Sequence, residues 1–215
     1  YGFSPIGKDS IRFKGFYDGQ NYSIYNLHID RPTQNTVGLF GGTNQGNLRQ
    51  IHLVNAVITG KNSTGIIVGS SMGSSIYGCS SDGNVSGVQS VGGLVGFFSH
   101  SSISNSFSKG IVSGTNGRIG GFVGFNYASS EIRDCYSEST VSGFGGRVGG
   151  FVGLNGDNNL TMISRCYSVG LVNQLGFVGW NNAAIIENSF WDVNSSSQVT
   201  SSGNGALGKS TQEMM

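Results

Sequence analysis

Proline is almost missing from this chain, with two residues in 215. Charge is scarce too: 11% of residues are Asp, Glu, Lys or Arg, against about 25% in ordinary globular domains. The formal net charge of +1 excludes the basic footprint of a nucleic-acid-binding protein and gives no attraction to an anionic membrane. No apolar run approaches the roughly 20 residues that carry a helix across a bilayer, so membrane insertion is not expected. The three cysteines, Cys79, Cys135 and Cys166, are an odd number, which argues against a simple disulfide framework. No stretch shows the 3.6-residue stripe of an amphipathic helix. The chain opens on Tyr1-Gly2-Phe3 with neither an initiator Met nor a signal peptide, as expected of a piece of a longer polypeptide or a processed form.

Glycine, by contrast, is abundant, at 37 of 215 residues. Disordered glycine-rich chains carry more proline and fewer aromatics than the 11% found here. With 37% hydrophobic residues there is material for a core, so the glycines are read as tight turns and not as a flexible linker. The polar surface falls to Ser, Thr and Asn, a pattern common in secreted β-rich proteins.

One phrase recurs. It reads Val37-Gly38-Leu39-Phe40-Gly41, Gly65-Ile66-Ile67-Val68-Gly69, Gly92-Gly93-Leu94-Val95-Gly96, Gly120-Gly121-Phe122-Val123-Gly124, Gly149-Gly150-Phe151-Val152-Gly153 and Gly176-Phe177-Val178-Gly179. The closing glycines lie 28, 27, 28, 29 and 26 residues apart. A second phrase keeps step with the first: Ile76 to Gly87, Ile103 to Gly114, Ile132 to Gly143, Ile163 to Val172 and Ile186 to Phe190, with a looser copy from Leu48 to Gly60. Each unit holds short runs rich in Val, Ile, Phe and Tyr, bounded by Gly, Asn or Ser, and has no room for a helix of 10 to 12 residues. A unit of about 27 residues, at roughly 3.3 Å each, traces one closed coil of three short strands and three corners. A propeller blade needs about 40 residues, and a sandwich has no reason to repeat phrase for phrase. The expected fold is therefore an all-β, right-handed parallel β-helix (β-solenoid) of six to seven coils. Residues 1–36 read as an N-terminal lead-in and cap, 37–190 as the repeats, and 191–215 as an irregular C-terminal tail or cap.

The phrase Gly-Gly-Leu/Phe-Val-Gly, followed by Ile-x-Asn-Ser/Cys-Phe/Tyr-Ser and Val-Ser-Gly, resembles the GLUG repeat of prokaryotic surface proteins. These include filamentous-haemagglutinin-like adhesins and regions flanking immunoglobulin-A peptidases. Phe3 to Ile29 is similar to the lead-in of such arrays, and Ser189-Phe190-Trp191-Asp192 to their exit. The resemblance implies a scaffold without a catalytic signature, placed extracellularly or at the cell surface.

Stacked coils allow columns to be read. Cys79, Ser106, Cys135, Cys166 and Ser189 share a slot, expected to hold small buried residues with free thiols. Asp82, Lys109, Glu138 and Val169 form a column of alternating charge, expected to face solvent. The column Ser80, Phe107, Tyr136, Tyr167, Phe190 has the same strand parity. Strict alternation places it outside as a ligand or lateral-contact face, while a corner that resets parity turns its rings inward; the inward reading is preferred. Phe97, Phe125, Leu154 and Trp180 form another apolar column, either core or contact face. Ser90, Arg118 and Arg147 share a corner and read as exposed turn residues. Asn-x-Ser/Thr at Asn21, Asn62, Asn84, Asn159 and Asn194 gives candidate glycosylation sites.

Catalysis finds little support. Glu131, Asp134 and Glu138 are the densest carboxylates, yet Arg133 and Arg165 stand among them, which reads as a salt-bridged surface. His28, His52 and His100 fall at different phases of different coils, with neither a metal set nor a triad. The expected function is a non-enzymatic structural or adhesive module, a stalk or fibre subunit. No catalytic residue, metal or cofactor is assigned. Expected partners are further copies of the chain, end-to-end or lateral, or host-surface glycans and proteins. The alternatives are a carbohydrate- or host-surface-binding module using an exposed aromatic or Ser/Thr/Asn face and, below it, a polysaccharide-cleaving enzyme.

Overall fold

A computed structural model describes residues 2–156 and 160–215. Its strands stack as a β-solenoid of about six turns. Among the described residues they fall into four sheets of seven, nine, four and six strands, and successive coils pair in parallel. Each full coil therefore has four strands, where three were expected. The repeated glycine phrase is the reason: it bends the chain at its Gly-Leu/Phe step and divides one side into two strands. In one coil these are Gln89–Gly92 and Val95–Ser99, followed by Ser102–Ser104 on a short face and Phe107–Gly114 on a long face.

The register is that of the sequence repeat. On the long face Ser80, Phe107, Tyr136 and Tyr167 are paired in succession, as are Asp82, Lys109 and Glu138. On the short face Leu48, Ile76, Ile103, Ile132, Ile163 and Ile186 form one buried column. Val85, Val112 and Val141 line the inside of the long face, and Val68, Val95, Val123, Val152 and Val178 that of the bent side. At the bend, Phe122, Phe151 and Phe177 are wholly buried and stacked, with ring centroids 4.9 and 5.0 Å apart. Burying each such ring contributes about 1.5–3 kcal/mol, which only neighbouring coils can complete.

The glycines follow from the narrowness of the coil. Across the interior from the bend stand Ser81, Ser108 and Ser168, buried on the long face. Their hydroxyls donate to the carbonyls of Gly93, Gly121 and Gly176 at 3.0, 2.7 and 3.0 Å, tying the bend to the long face across the interior. A Cβ on Gly93 would lie 2.9 Å from that of Ser108. The corner before the long face turns through left-handed backbone at Asn26, Gln50, Gly78, Asn105, Asp134, Arg165 and Asn188. Asn, Asp and Gly recur at this step because they tolerate that conformation best.

Both ends are covered by the chain itself. The Phe3 and Ile6 amides donate to His28 and Leu39, and the Phe13 and Tyr17 rings pack on Phe40. At the other end Trp191 takes the slot that Ser168 holds one coil earlier, and its Nε1 donates to the Gln198 carbonyl at 2.9 Å. Residues 191–215 are more ordered than the irregular tail expected. Ala206–Lys209 adds a parallel strand to the long face, and the short helices Val193–Ser196 and Thr211–Met214 flank it. Asp192 caps the first of these helices and accepts a 2.7 Å hydrogen bond from the Thr211 hydroxyl.

Candidate functional site

The shared slot of Cys79, Ser106, Cys135, Cys166 and Ser189 is buried in every coil, and the three thiols are free. Burial pushes Cys79 up to about 11. Cys135 is raised well above its usual range by burial and then by its neighbour Cys166. Protonated, shielded thiols are poor nucleophiles and poor metal ligands, so the slot is packing.

The aromatic column turns outward, which corrects the inward reading. No corner intervenes: Ser106 is buried, Phe107 half-buried, Ser108 buried and Lys109 exposed, in unbroken alternation. Phe107, Tyr136 and Phe190 are half-buried and Tyr167 is 37% exposed. The Phe107, Tyr136 and Tyr167 rings lie nearly coplanar in orientation, 4° and 2° apart, with centroids 4.9 and 5.0 Å apart. The Tyr136 ring thus spends both faces on its neighbours and presents mainly its edge to solvent. Lys209 Nζ sits 4.1 Å from the Phe190 centroid, over that ring's face. Sugar rings need an open aromatic face, and this ladder offers few.

A different outer face is less regular. Gly42, Ser70, Phe97, Phe125, Leu154 and Trp180 share one register on the bent side. Phe97 and Phe125 meet edge to face at 5.4 Å, and Tyr127 tilts against both. Arg118 lies 4.3 Å over the Phe125 centroid and donates to Ser90 Oγ at 3.1 Å. The corner column therefore departs from the exposed turn expected. Ser90 is buried, Arg118 is half-buried, and Arg147 alone of the three is exposed. Burial, then the in-register Arg147 charge, lowers Arg118 from the usual guanidinium range. Trp180 is 51% exposed, beside Arg147 in a pocket of about 340 Å³.

Two of the three densest carboxylates, Glu131 and Asp134, are engaged by arginines, and Glu138 is exposed on the long face. Arg165 makes a two-pronged contact with Asp134 at 2.7 and 2.8 Å, which lowers the Asp134 pKa, and Arg133 lies 3.7 Å from Glu131. Among the described residues no group of three or more His, Cys, Asp or Glu is arranged to hold a metal ion. His52 Nδ1 meets Ser80 Oγ at 2.7 Å, and His100 Nδ1 meets Ser99 Oγ at 2.9 Å, in separate coils. Of the candidate glycosylation sites, Asn21, Asn84 and Asn194 are exposed and Asn62 is half-buried, while Asn159 lies outside the described residues.

Sequence reasoning missed one buried polar ladder. Asn126 Nδ2 donates to Asn155 Oδ1 at 2.8 Å, and Asn155 Nδ2 to Asn181 Oδ1 at 2.9 Å. Its signal was present: each Asn stands two residues after a closing glycine, at Gly124, Gly153 and Gly179.

Known proteins echo this architecture. The family model described as the GLUG motif matches residues 115–142, which lie within the stacked repeats. Halomucin of Haloquadratum walsbyi (strain DSM 16790 / HBSQ001) is 43% identical over 70 residues, covering 31% of this chain and 1% of halomucin. A crystal structure from Bacteroides ovatus, described as a "putative immunoglobulin A1 protease", superposes with a TM-score of 0.71 at 22% identity, covering 92% of this chain and 69% of that one. At that identity the likeness speaks for the fold. The in-register coils and the recurring glycine phrase make this chain a β-solenoid, and one stretch of it, residues 115–142, matches the GLUG-motif model.

Proposed function

We propose that this chain is a non-catalytic rod segment of an extracellular or cell-surface protein, serving as a spacer or adhesive stalk. The observation that carries the reading is the investment of side chains in stacking. Interior Phe, Val, Ile and Asn columns, and the outer Phe107–Tyr136–Tyr167 ladder, are each completed by the coil above or below. Glu131 and Asp134, two of the three acidic groups nearest to a cluster, are engaged by arginines. The likeness to halomucin and to the Bacteroides ovatus chain, together with a surface rich in Ser, Thr and Asn, supports placement outside the cell. About six turns at roughly 4.8 Å give a rod near 30 Å long.

Two assays test this together. Electron microscopy and sedimentation of the purified chain should give short rods, or filaments of the same width. Incubation with acidic and neutral polysaccharides, and with immunoglobulin A1, should release neither new reducing ends nor fragments. Turnover of any of these would contradict the reading.

A further inference from the structure

The pocket beside Trp180 is built unlike any other part of the rod surface described above. Its lining is Asn116, Gly117, Gly145, Gly146, Arg147 and Trp180. Two successive coils each carry a glycine-containing loop here, and the second leaves open space beside Gly146. A Cβ on Gly146 would meet nothing within 4 Å, and one on Gly145 would lie 3.3 Å from Asn116 Oδ1. Trp180 ends the outward column that contains Phe97, Phe125 and Leu154, so no further aromatic of that column covers it, and half of its surface is open. This differs from the centre of the long-face ladder, where Tyr136 is stacked on both sides. Arg147 follows Arg118 by one coil in register, and among the described residues no carboxylate lies within 4 Å of either guanidinium. The other outer arginines Arg12, Arg49, Arg133 and Arg165 each have an acidic partner. The pair at Arg118 and Arg147 thus concentrates positive charge beside an open indole on an otherwise charge-poor rod.

We infer that this pocket binds a saccharide bearing a carboxylate, of the uronic-acid class. The apolar face of a pyranose ring lies on the Trp180 indole. Its carboxylate takes the Arg147 guanidinium, whose fork of donors matches two carboxylate oxygens. Asn116 supplies an amide that both donates to and accepts from ring hydroxyls. The glycine loops leave the room that the ring and its neighbours in a polymer require, and the pocket's volume is in the range of small-ligand sites. The inference adds a ligand to the rod of the preceding section and does not depend on that reading being right: a catalytic rod with this pocket would bind the same sugar.

The test titrates the intact chain with a short oligogalacturonate and, separately, with its methyl ester, following tryptophan fluorescence and calorimetry. Trp191 is buried and Trp180 exposed, so a spectral change reports chiefly on Trp180. The expected result is saturable binding of the oligogalacturonate that weakens as salt is raised, with the methyl ester at least tenfold weaker. Trp180→Ala and Arg147→Gln should each weaken binding at least tenfold, while Tyr22→Ala, at a remote exposed aromatic, leaves it unchanged. Circular dichroism checks that each variant is folded; if Trp180→Ala is not, Arg147→Gln, at an exposed side chain, carries the test. No binding of the oligogalacturonate would overturn the assignment. So would equal binding of the methyl ester, indifference to both substitutions, or a Trp180→Ala effect confined to self-association.

Discussion

Asn155 sits wholly buried between two other asparagines, donating to one side and accepting from the other. Its amide is one rung of a ladder whose alternative is an unsatisfied polar group in the core. Asn155→Ala should therefore cost about 2–4 kcal/mol, because Asn126 Nδ2 and Asn181 Oδ1 both lose their partners. Thr140→Ala, on the solvent side of the long face, should stay within about 0.5 kcal/mol. Urea unfolding of the two variants measures the contrast; equal midpoints would refute the ladder. The thiols give a second test at this scale. Cys79, Cys135 and Cys166 should resist alkylation at pH 8 in the folded chain and react together once it is unfolded, as mass spectrometry would show. Rapid labelling of native Cys135 would mean that the slot opens to solvent.

At the scale of the strand and turn, each repeated phrase carries two kinds of glycine demand. The closing glycines approach the neighbouring coil: a Cβ on Gly124 would lie 2.7 Å from the backbone of Ser90, Val91 and Gly96. Gly124→Ala should destabilise by about 1–3 kcal/mol through forced separation of coils, whereas Gly146→Ala should be nearly silent. Thermal melts of the pair would decide; a silent Gly124→Ala would mean that the coils are less tightly stacked than described. The C-terminal cap adds a dependence on pH. Burial by itself would raise Asp192, yet hydrogen bonds from Thr211 and from the Asn194 and Ser195 amides outweigh it and hold the carboxyl below its ordinary range. A depressed folded value means that the stabilisation is present above the unfolded value of about 3.9 and is lost as pH falls through the lower folded one. Amide exchange in Ala206–Lys209 and Thr211–Met214 should therefore accelerate in that acidic window ahead of exchange in Phe107–Gly114. Uniform acceleration along the chain would contradict the assignment.

Much at this scale was legible beforehand. The spacing of Gly41 through Gly179 predicted the register, and the Cys/Ser slot was placed in the interior. What escaped was the number of strands, because a Gly-Leu/Phe bend within one apolar phrase leaves no polar punctuation between its halves. The aromatic column was assigned the wrong side for a related reason. The inward reading needed a corner that resets parity between the aromatic and charged columns, and none is present; instead the outer ladder stacks Phe107, Tyr136 and Tyr167 against one another one coil apart. Period-two alternation, the weaker-looking signal, was the correct one. The Trp180 pocket was half visible. The Trp180 column and the Arg118–Arg147 pair were each noted, but their meeting depends on how the bent side is folded, which spacing alone does not disclose.

For the whole molecule, stability is a sum over interfaces between equivalent coils, and a coil can be removed without changing the contacts of the others in kind. Gly114 and Gly143 are in register, so deletion of residues 115–143 should join one coil to the next and give a shorter, still cooperative rod. The same logic supplies the most direct test of the stack itself. Asn47 and Ile185 occupy equivalent exposed positions on the short face, linked through Ser75, Ser102, Glu131 and Met162 by five coil steps. Spin labels on Asn47→Cys and Ile185→Cys, with the three buried cysteines changed to Ser, report that separation by pulsed electron resonance. Five steps of roughly 4.8 Å predict one narrow distribution near 24 Å, broadened by the label arms. A distance beyond about twice that value, or several separate distances, would show that equivalent positions do not lie above one another, and the account would fail.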